Sequence, residues 1–314
     1  MFTRRDLYRF LLAAVCLAKA PKRLFATVSP RLCVDQLVAA TGLPLPVPVT
    51  RHYRADVVVT LLGVPIFSRK NVGGAFAALR ESAEGSRKLV AIRFAGGANP
   101  QRTHGIKYDG SLEEVVLVDG AAPAQAAYFG FVTSSSNENF DQARQRVMTA
   151  QKSRGAFTAA EGLHLPGSAR CEKSSISLPE ASARDRAGLS DEIRARFSDT
   201  ERSATELHMP GNAAATFLYA VRAAVRAREQ RPAVNYVHNA KPYRLECERT
   251  PEAHSESTKF TGHIHDLTSR QVSTFRLWLD DPSGLPRRIE FQPRSYLRIS
   301  LEYEPEGANR TEET

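Results

Sequence analysis

The sequence predicts an α+β protein: a predominantly antiparallel, curved β-sheet or half-barrel with two main helices and a polar helical insertion. Three observations predict it. Tyr243, Leu245 and Cys247 alternate with Arg244, Glu246 and Glu248, while Leu297, Ile299, Leu301 and Tyr303 alternate with Arg298, Ser300 and Glu302. That period of two belongs to strands with one buried face. β-Branched runs broken by glycines recur through the first half of the chain at hairpin spacing. Two segments, 137–150 and 212–229, combine helical spacing with a capping residue, Asn139 and Asn212. With 314 residues, 42% hydrophobic and 25% charged, the chain can bury a core without disulfide or metal staples. The same composition excludes a wholly disordered, collagen-like or transmembrane-bundle chain.

Taken in order, residues 1–26 read as an export signal. Arg4 and Arg5 precede the nine-residue apolar run 10–18, too short to span a bilayer, and Lys19, Lys22 and Arg23 follow it. Paired arginines ahead of a modest apolar run match a twin-arginine address, and basic residues behind it disfavour the general secretory route. Cleavage is expected after Ala20 or Ala26, leaving the mature chain periplasmic or otherwise exported from a bacterium. Residues 27–50 hold a short helix at 32–40 and a linker in which Pro44, Pro46 and Pro48 forbid helix or central strand.

The β-rich domain is expected over 51–304. It opens with a hairpin whose run Val57 to Leu62 turns at Gly63-Val64-Pro65, followed by strands at 75–80, 88–94, 112–118 and 125–133. A helical insertion is expected at about 135–230, with 180–210 polar and solvated. Its last helix, 212–229, sets Phe217, Leu218, Val221 and Val225 on one face and Arg222, Arg226 and Arg228 on a solvated one. Residues 257–304 form a four-stranded meander, and 305–314 a disordered tail. If Ser269 and Arg270 centre a tight turn, Ile264 faces Phe275, Gly262 faces Leu277 and Phe260 faces Leu279. On the other face Thr261 meets Trp278, His263 meets Arg276 and His265 meets Thr274. Phe260, Ile264, Phe275, Leu277, Ile289, Phe291, Leu297, Ile299 and Leu301 are then one buried face.

Little in the chain carries chemistry. The formal charge is +9, but the first 26 residues supply six bases against one acid, and the rest shows no basic stripe of the kind nucleic acid requires. There is no G-x-G-x-x-G, phosphate loop, H-E-x-x-H, G-x-S-x-G or S-x-x-K. Cys16 leaves with the signal, and Cys33, Cys171 and Cys247 lack C-x-x-C spacing, so at most one disulfide and no zinc ribbon is expected. The adjacent acids Glu113 and Glu114 point to opposite faces of a strand, and Asp280 and Asp281 belong to a turn. His263 and His265 share one strand face, but an Arg276 beside them repels a dication, so no metal is expected. With Trp278 offering a stacking surface and Arg276 an anion-binding fork, His263, His265, Arg276 and Trp278 are the candidate ligand-binding residues.

The hairpin around Gly63-Val64-Pro65-Ile66-Phe67, the helix before the last third, and the run from Trp278 through Asp280-Asp281-Pro282-Ser283-Gly284 to Phe291 resemble exported bacterial proteins of a domain-of-unknown-function family. The likeness covers 53–80 and 212–304, and the insertion at 135–210 departs from it. It implies a curved antiparallel sheet or half-barrel comparable in shape with envelope lipoprotein carriers, and it supplies no catalytic residues. The expected function is a non-enzymatic, exported β-rich protein sheltering an apolar or lipid-like ligand, without cofactor, nucleic-acid partner or transmembrane span in the mature chain. The alternative is a periplasmic enzyme with a dispersed site around His263, His265 and Arg276.

Overall fold

The computed structural model describes residues 33–61, 64–99, 102–103, 108–134, 153–179, 186–208, 215–251, 257–269, 271–280, 284–294 and 297–305. The expected export signal, the helix at 137–150, the Asn212 cap and nearly all of the expected tail lie outside them. Fourteen strands form one antiparallel sheet: β1 (Val49–Leu61), β2 (Val64–Glu84), β3 (Arg87–Ala98), β4 (Asp109–Asp119), β5 (Ala122–Thr133), β6 (Ser153–Leu165), β7 (Ser168–Pro179), β8 (Ser203–His208), β9 (Ala233–His238), β10 (Lys241–Pro251), β11 (Thr258–Asp266), β12 (Val272–Leu279), β13 (Arg288–Arg294) and β14 (Leu297–Tyr303). Among the described residues three helices accompany it: α1 (Cys33–Thr41), α2 (Arg186–Asp199) and α3 (Phe217–Arg226). Among the described residues no helix is long and apolar enough to cross a membrane.

The topology is two meanders, β1 to β8 and β9 to β14, joined where β1 pairs with β14 from Tyr53↔Tyr303 to Val59↔Leu297. β8 and β9 are therefore the two edges of the sheet. The sheet is strongly curled. α3 packs on β3 and β4 and also on β9 and β10, although β3 and β10 stand seven places apart in the strand order. Laid flat, seven spacings of about 4.8 Å would separate them by about 33 Å, three times the width of a helix. The sheet must wrap around α3.

The concave face divides its apolar surface around that helix. Leu218 and Tyr219 meet Tyr53, Ala77, Leu79 and Val90, while Ala220, Ala224 and Val225 meet Tyr243, Leu245, Phe260 and Phe275. The ring of Phe275 lies over its cross-strand partner Gly262, where any Cβ would fall 2.1 Å from the ring. Leu285, from the loop between β12 and β13, is buried at one end of this interior; Arg51 donates to its carbonyl at 2.8 Å and pairs with Asp280 at 3.3 Å.

The convex face of β3 to β7 carries α1 and α2. Val34 and Leu37 of α1, with Leu189, Ile193 and Phe197 of α2, bury Leu89, Val115, Phe129, Phe131, Phe157 and Leu178. This corrects the expected helical insertion. Residues 153–179 form the β6–β7 hairpin, 203–208 add β8, and α2 is anchored by three side chains that are 0% exposed. The spacing of four in Leu189, Ile193 and Phe197 makes a narrow stripe, which the surrounding charged residues conceal in any averaged reading. The arginines are not simply solvated: Arg194 stacks 4.8 Å from the Phe129 ring and pairs with Glu113, and Arg202 lies over Phe197 and pairs with Glu161 at 3.0 Å.

Two boundaries also differ from expectation. α3 starts at Phe217 because the Ala215 carbonyl accepts the Val237 amide of β9 and Thr216 is extended, as an N-cap residue should be. The β11–β12 register is two residues off the expected one: Phe260 faces Leu277, Gly262 faces Phe275, His263 faces Thr274, His265 faces Val272 and Arg276 faces Thr261. The Asp266 carboxylate accepts from the Thr268 amide and hydroxyl and the Ser269 amide, and the Asp266 amide donates to Gln271. The paired strands therefore end at Asp266 and Gln271, two residues earlier on β11 than a two-residue turn at Ser269 and Arg270 would require. Burial works to raise the Asp266 carboxyl, but those hydrogen bonds outweigh it and bring it down to about 2. An even slip preserves the faces, so Phe260, Ile264, Phe275 and Leu277 remain buried, with Ile289 and Phe291 partly buried against them.

Candidate functional site

The four residues singled out in the sequence lie on the convex face and do not converge. His263 is exposed, its ring 6.5 Å from that of His265, whose Nε2 lies 3.5 Å from Glu246. Arg276 pairs with Glu290 at 3.3 Å. Arg288 approaches the same carboxylate at 2.5 Å and Glu302 at 3.1 Å, giving a charged ladder across β12, β13 and β14. Trp278, four residues along β12 from the partner of His263, is about 13 Å away by strand rise. Arg288 lies 4.8 Å and Lys259 5.8 Å from its ring. The expected repulsion of a dication by an Arg276 directly opposite His263 fails, since Thr274 occupies that place.

The interior holds a polar row that sequence reasoning missed. Cross-strand pairing sets Glu114, Tyr128, Gly162 and Cys171 side by side on β4 to β7, with His164 opposite Ala126 in the next row. The row depends on Gly162, because the Tyr128 ring occupies the space a Cβ would need. Asn239 and Ala240, both with positive φ, form the β9–β10 turn, the backbone that tight hairpins require. That turn delivers Asn239 to the row: its amide donates to the Tyr128 hydroxyl at 3.0 Å, and its Oδ1 accepts from that hydroxyl at 3.3 Å and from the Cys171 thiol at 3.9 Å. Among the described residues no strand ladder joins β9 to the other end of the sheet, and these side chains tie the β9–β10 turn to β5 and β7 instead. Tyr128 also contacts the rings of His164 and His238, at 5.7 and 5.2 Å.

Glu114 sits at the start of α3 and accepts the Tyr219 amide at 3.0 Å, where the helix dipole favours negative charge. Burial nevertheless pushes its carboxyl up to about 7, against the pull of Thr216 and the first amides of α3. His164 is fully buried, and burial lowers it to about 4; the Ala215 carbonyl opposes this weakly but lies outside hydrogen-bond geometry. On the far side of α3, Glu81 of β2 pairs with the buried Arg222 and, at 3.6 Å, with Arg226. Burial raises the Glu81 carboxyl, but Arg222, Arg226 and Lys88 outweigh it and hold it below its ordinary value. Arg249 closes the helix by donating to the carbonyls of Val225 and Ala227. Of the arginines expected on a solvated face, Arg226 and Arg228 are exposed while Arg222 is buried against Glu81, and the interior charges act as clasps on α3.

Cys33, Cys171 and Cys247 are free thiols. Glu113 and Glu114 point to opposite faces, as expected, one to Arg194 outside and one to α3 inside. An open groove of about 460 Å³ lies at the foot of the β1–β2 hairpin, lined by His52, Arg54, Asn71, Asn99 and Glu304 among others.

Fold and site together define a curled antiparallel sheet that clasps an amphipathic helix in its concave face. No family model and no curated protein matches the chain. Among solved structures it is similar to the beta-barrel-like protein of domain of unknown function DUF1849 from Brucella abortus, at 7% identity and a TM-score of 0.43, over 84% of this chain and 98% of that one.

Proposed function

We propose that this is an exported, non-enzymatic bacterial protein that shelters an apolar, lipid-like envelope ligand against the concave face of its sheet. The observation that supports this best is how that face is covered. A single ten-residue helix lies over Tyr236, Tyr243, Leu245, Phe260, Phe275 and Leu277, and polar clasps at Glu81, Glu114 and Arg249 hold it there. Polar clasps over an apolar bed allow the helix to leave and an acyl chain to take its place, since the bed gains from apolar contact of either kind. The enzyme alternative would draw on His265 and Arg276 of the convex face, where His265 Nε2 lies 3.5 Å from Glu246 and Arg276 pairs with Glu290.

Two experiments test the two halves of this reading. Replacing Arg4 and Arg5 by lysine leaves the precursor in the cytoplasm, and export unchanged by that replacement refutes the twin-arginine address. Native mass spectrometry of purified protein shows a co-purified acyl ligand, and Glu81→Gln, which opens a clasp without touching the apolar bed, raises the affinity for a fluorescent fatty-acid probe by about tenfold, or about 1.4 kcal/mol. No acyl adduct in either protein, with no probe binding, refutes the sheltering role.

A further inference from the structure

The groove at the foot of the β1–β2 hairpin lies beside an irregular stretch of strand pairing. Ala55 faces Gly73 and Val57 faces Arg69, so Asp56 alone stands opposite Lys70, Asn71 and Val72. The extra residues make a bulge on β2, a device that bends a strand and re-aims its side chains. Its shape is fixed from both sides. Asn71 has a φ of 55°, in the left-handed region that residues other than glycine seldom enter. Its amide donates to Asp56 Oδ1 at 2.8 Å, and the Asn99 amide donates to the neighbouring Val72 carbonyl at 2.8 Å. Asn71 and Asn99 are thereby brought together in the groove wall.

The register supplies the rest. Arg54 pairs with Gly74 of β2 and with Glu302 of β14. Two residues back and on the same face is His52, whose carbonyl accepts the Glu304 amide at 2.9 Å. Gly74 pairs in turn with Gly97, and Gly97 with Asp109. That row therefore carries no side chain between Arg54 and Asp109, three strand spacings or about 14 Å apart along the sheet. Gly73 is required by the sheet itself, since a Cβ there would fall 2.1 Å from the Gly97 carbonyl oxygen. Gly74 and Gly97 leave bare backbone on the face that bears Arg54, and glycine inside a strand is one mark of close approach by a ligand. The groove holds about 460 Å³, within the range of small-molecule sites.

The charges at the groove are of both signs and are joined to one another: Arg54 lies 3.4 Å from Asp56 and 3.4 Å from Glu304. An anionic ligand would meet two carboxylates, and a cationic one the guanidinium. The lining is a mixture of donors and acceptors, namely the Asn71 and Asn99 amides, the Arg54 guanidinium, the Glu304 carboxylate and the His52 imidazole. A hydroxyl both donates and accepts, so a neutral ring bearing several hydroxyls answers such a set from one position, and an apolar ligand does not. We propose that this groove binds a short neutral saccharide, its hydroxyls bridging the Asn71 side chain and the Arg54–Glu304 pair above the floor at Gly73 and Gly74. This does not depend on what the concave face holds.

The test is saturation-transfer NMR on the full chain with maltotriose, cellotriose and chitotriose in turn. At least one of them receives saturation from the protein, and excess inorganic phosphate does not displace it. Asn71→Gly removes the side-chain amide while keeping a residue suited to positive φ, and Gly74→Val fills the floor. Each raises the Kd of the bound trisaccharide about tenfold. No transfer to any of the three, displacement by phosphate, or a Kd left unchanged by either variant at the parent's melting temperature overturns the proposal. Should Gly74→Val fail to fold, Asn71→Gly decides by the same criteria.

Discussion

Phe197→Ala lowers the unfolding free energy by about 3–5 kcal/mol, the range for removing a fully buried aromatic ring. The ring is 0% exposed, meets Phe129 edge-on at 5.5 Å and lies under the Arg202 guanidinium at 5.5 Å. Ile193 and Leu189, one and two turns earlier on α2, fill the same layer, so neither neighbour can move in without vacating its own site. A solvated insertion would behave differently, since substitutions on such a segment change stability by about 0.5 kcal/mol or less. Urea titration decides the matter: a midpoint shift at constant slope that corresponds to under about 1 kcal/mol would return α2 to the surface. The same packing predicts that amides of α2 exchange slowly, with protection lost first in the variant.

Glu114→Gln and His164→Gln change how stability depends on pH, each by about 3 kcal/mol and in opposite directions. The Glu114 carboxyl rises from 4.5 to about 7 on folding. The folded state then binds that proton more tightly, so its contribution is complete below pH 4.5 and disappears as pH rises through 7. His164 falls from 6.5 to about 4. Its contribution is complete above pH 6.5 and disappears as pH falls toward 4. Between pH 4.5 and 6.5 the two slopes, each approaching one proton, cancel within the interior. Glu114→Gln exposes the histidine, and stability then climbs with pH relative to the parent; His164→Gln exposes the carboxyl, and stability falls. Denaturant titrations from pH 4.5 to 7.5 read both, and variant curves parallel to the parent's would show that neither group titrates in the interior as its burial requires.

These effects were legible in the sequence to different degrees. The meander over 257–304 was readable because its strands alternate cleanly, and the face containing Phe260, Ile264, Phe275 and Leu277 follows from parity alone. The register was not, because the Asp266 side chain lengthens the turn by two residues, and no count along the chain reveals which hydroxyls and amides a carboxylate will gather. Hence His263 lost Arg276 as its partner while keeping its face. α2 was misjudged for a related reason: three apolar residues spaced by four are enough to bury a helix, while the arginines beside them raise the apparent polarity and then spread over Phe129 and Phe197.

By itself the sequence determined that the described part of this chain is predominantly antiparallel strand, which residues of each strand share a face, and where the helix before the last third carries its apolar and basic sides. Local backbone preference and period-two patterning suffice for those, since each depends on residues a few positions apart. Only the tertiary structure decided that β1 pairs with β14, that the sheet curls around α3, and that Glu114, Tyr128, His164, Cys171 and Asn239 meet in its interior. Those contacts join residues up to 250 positions apart, as Arg54 and Glu304 are, and depend on how far the sheet bends. That bend is set by the packing of both faces together, which no single strand encodes.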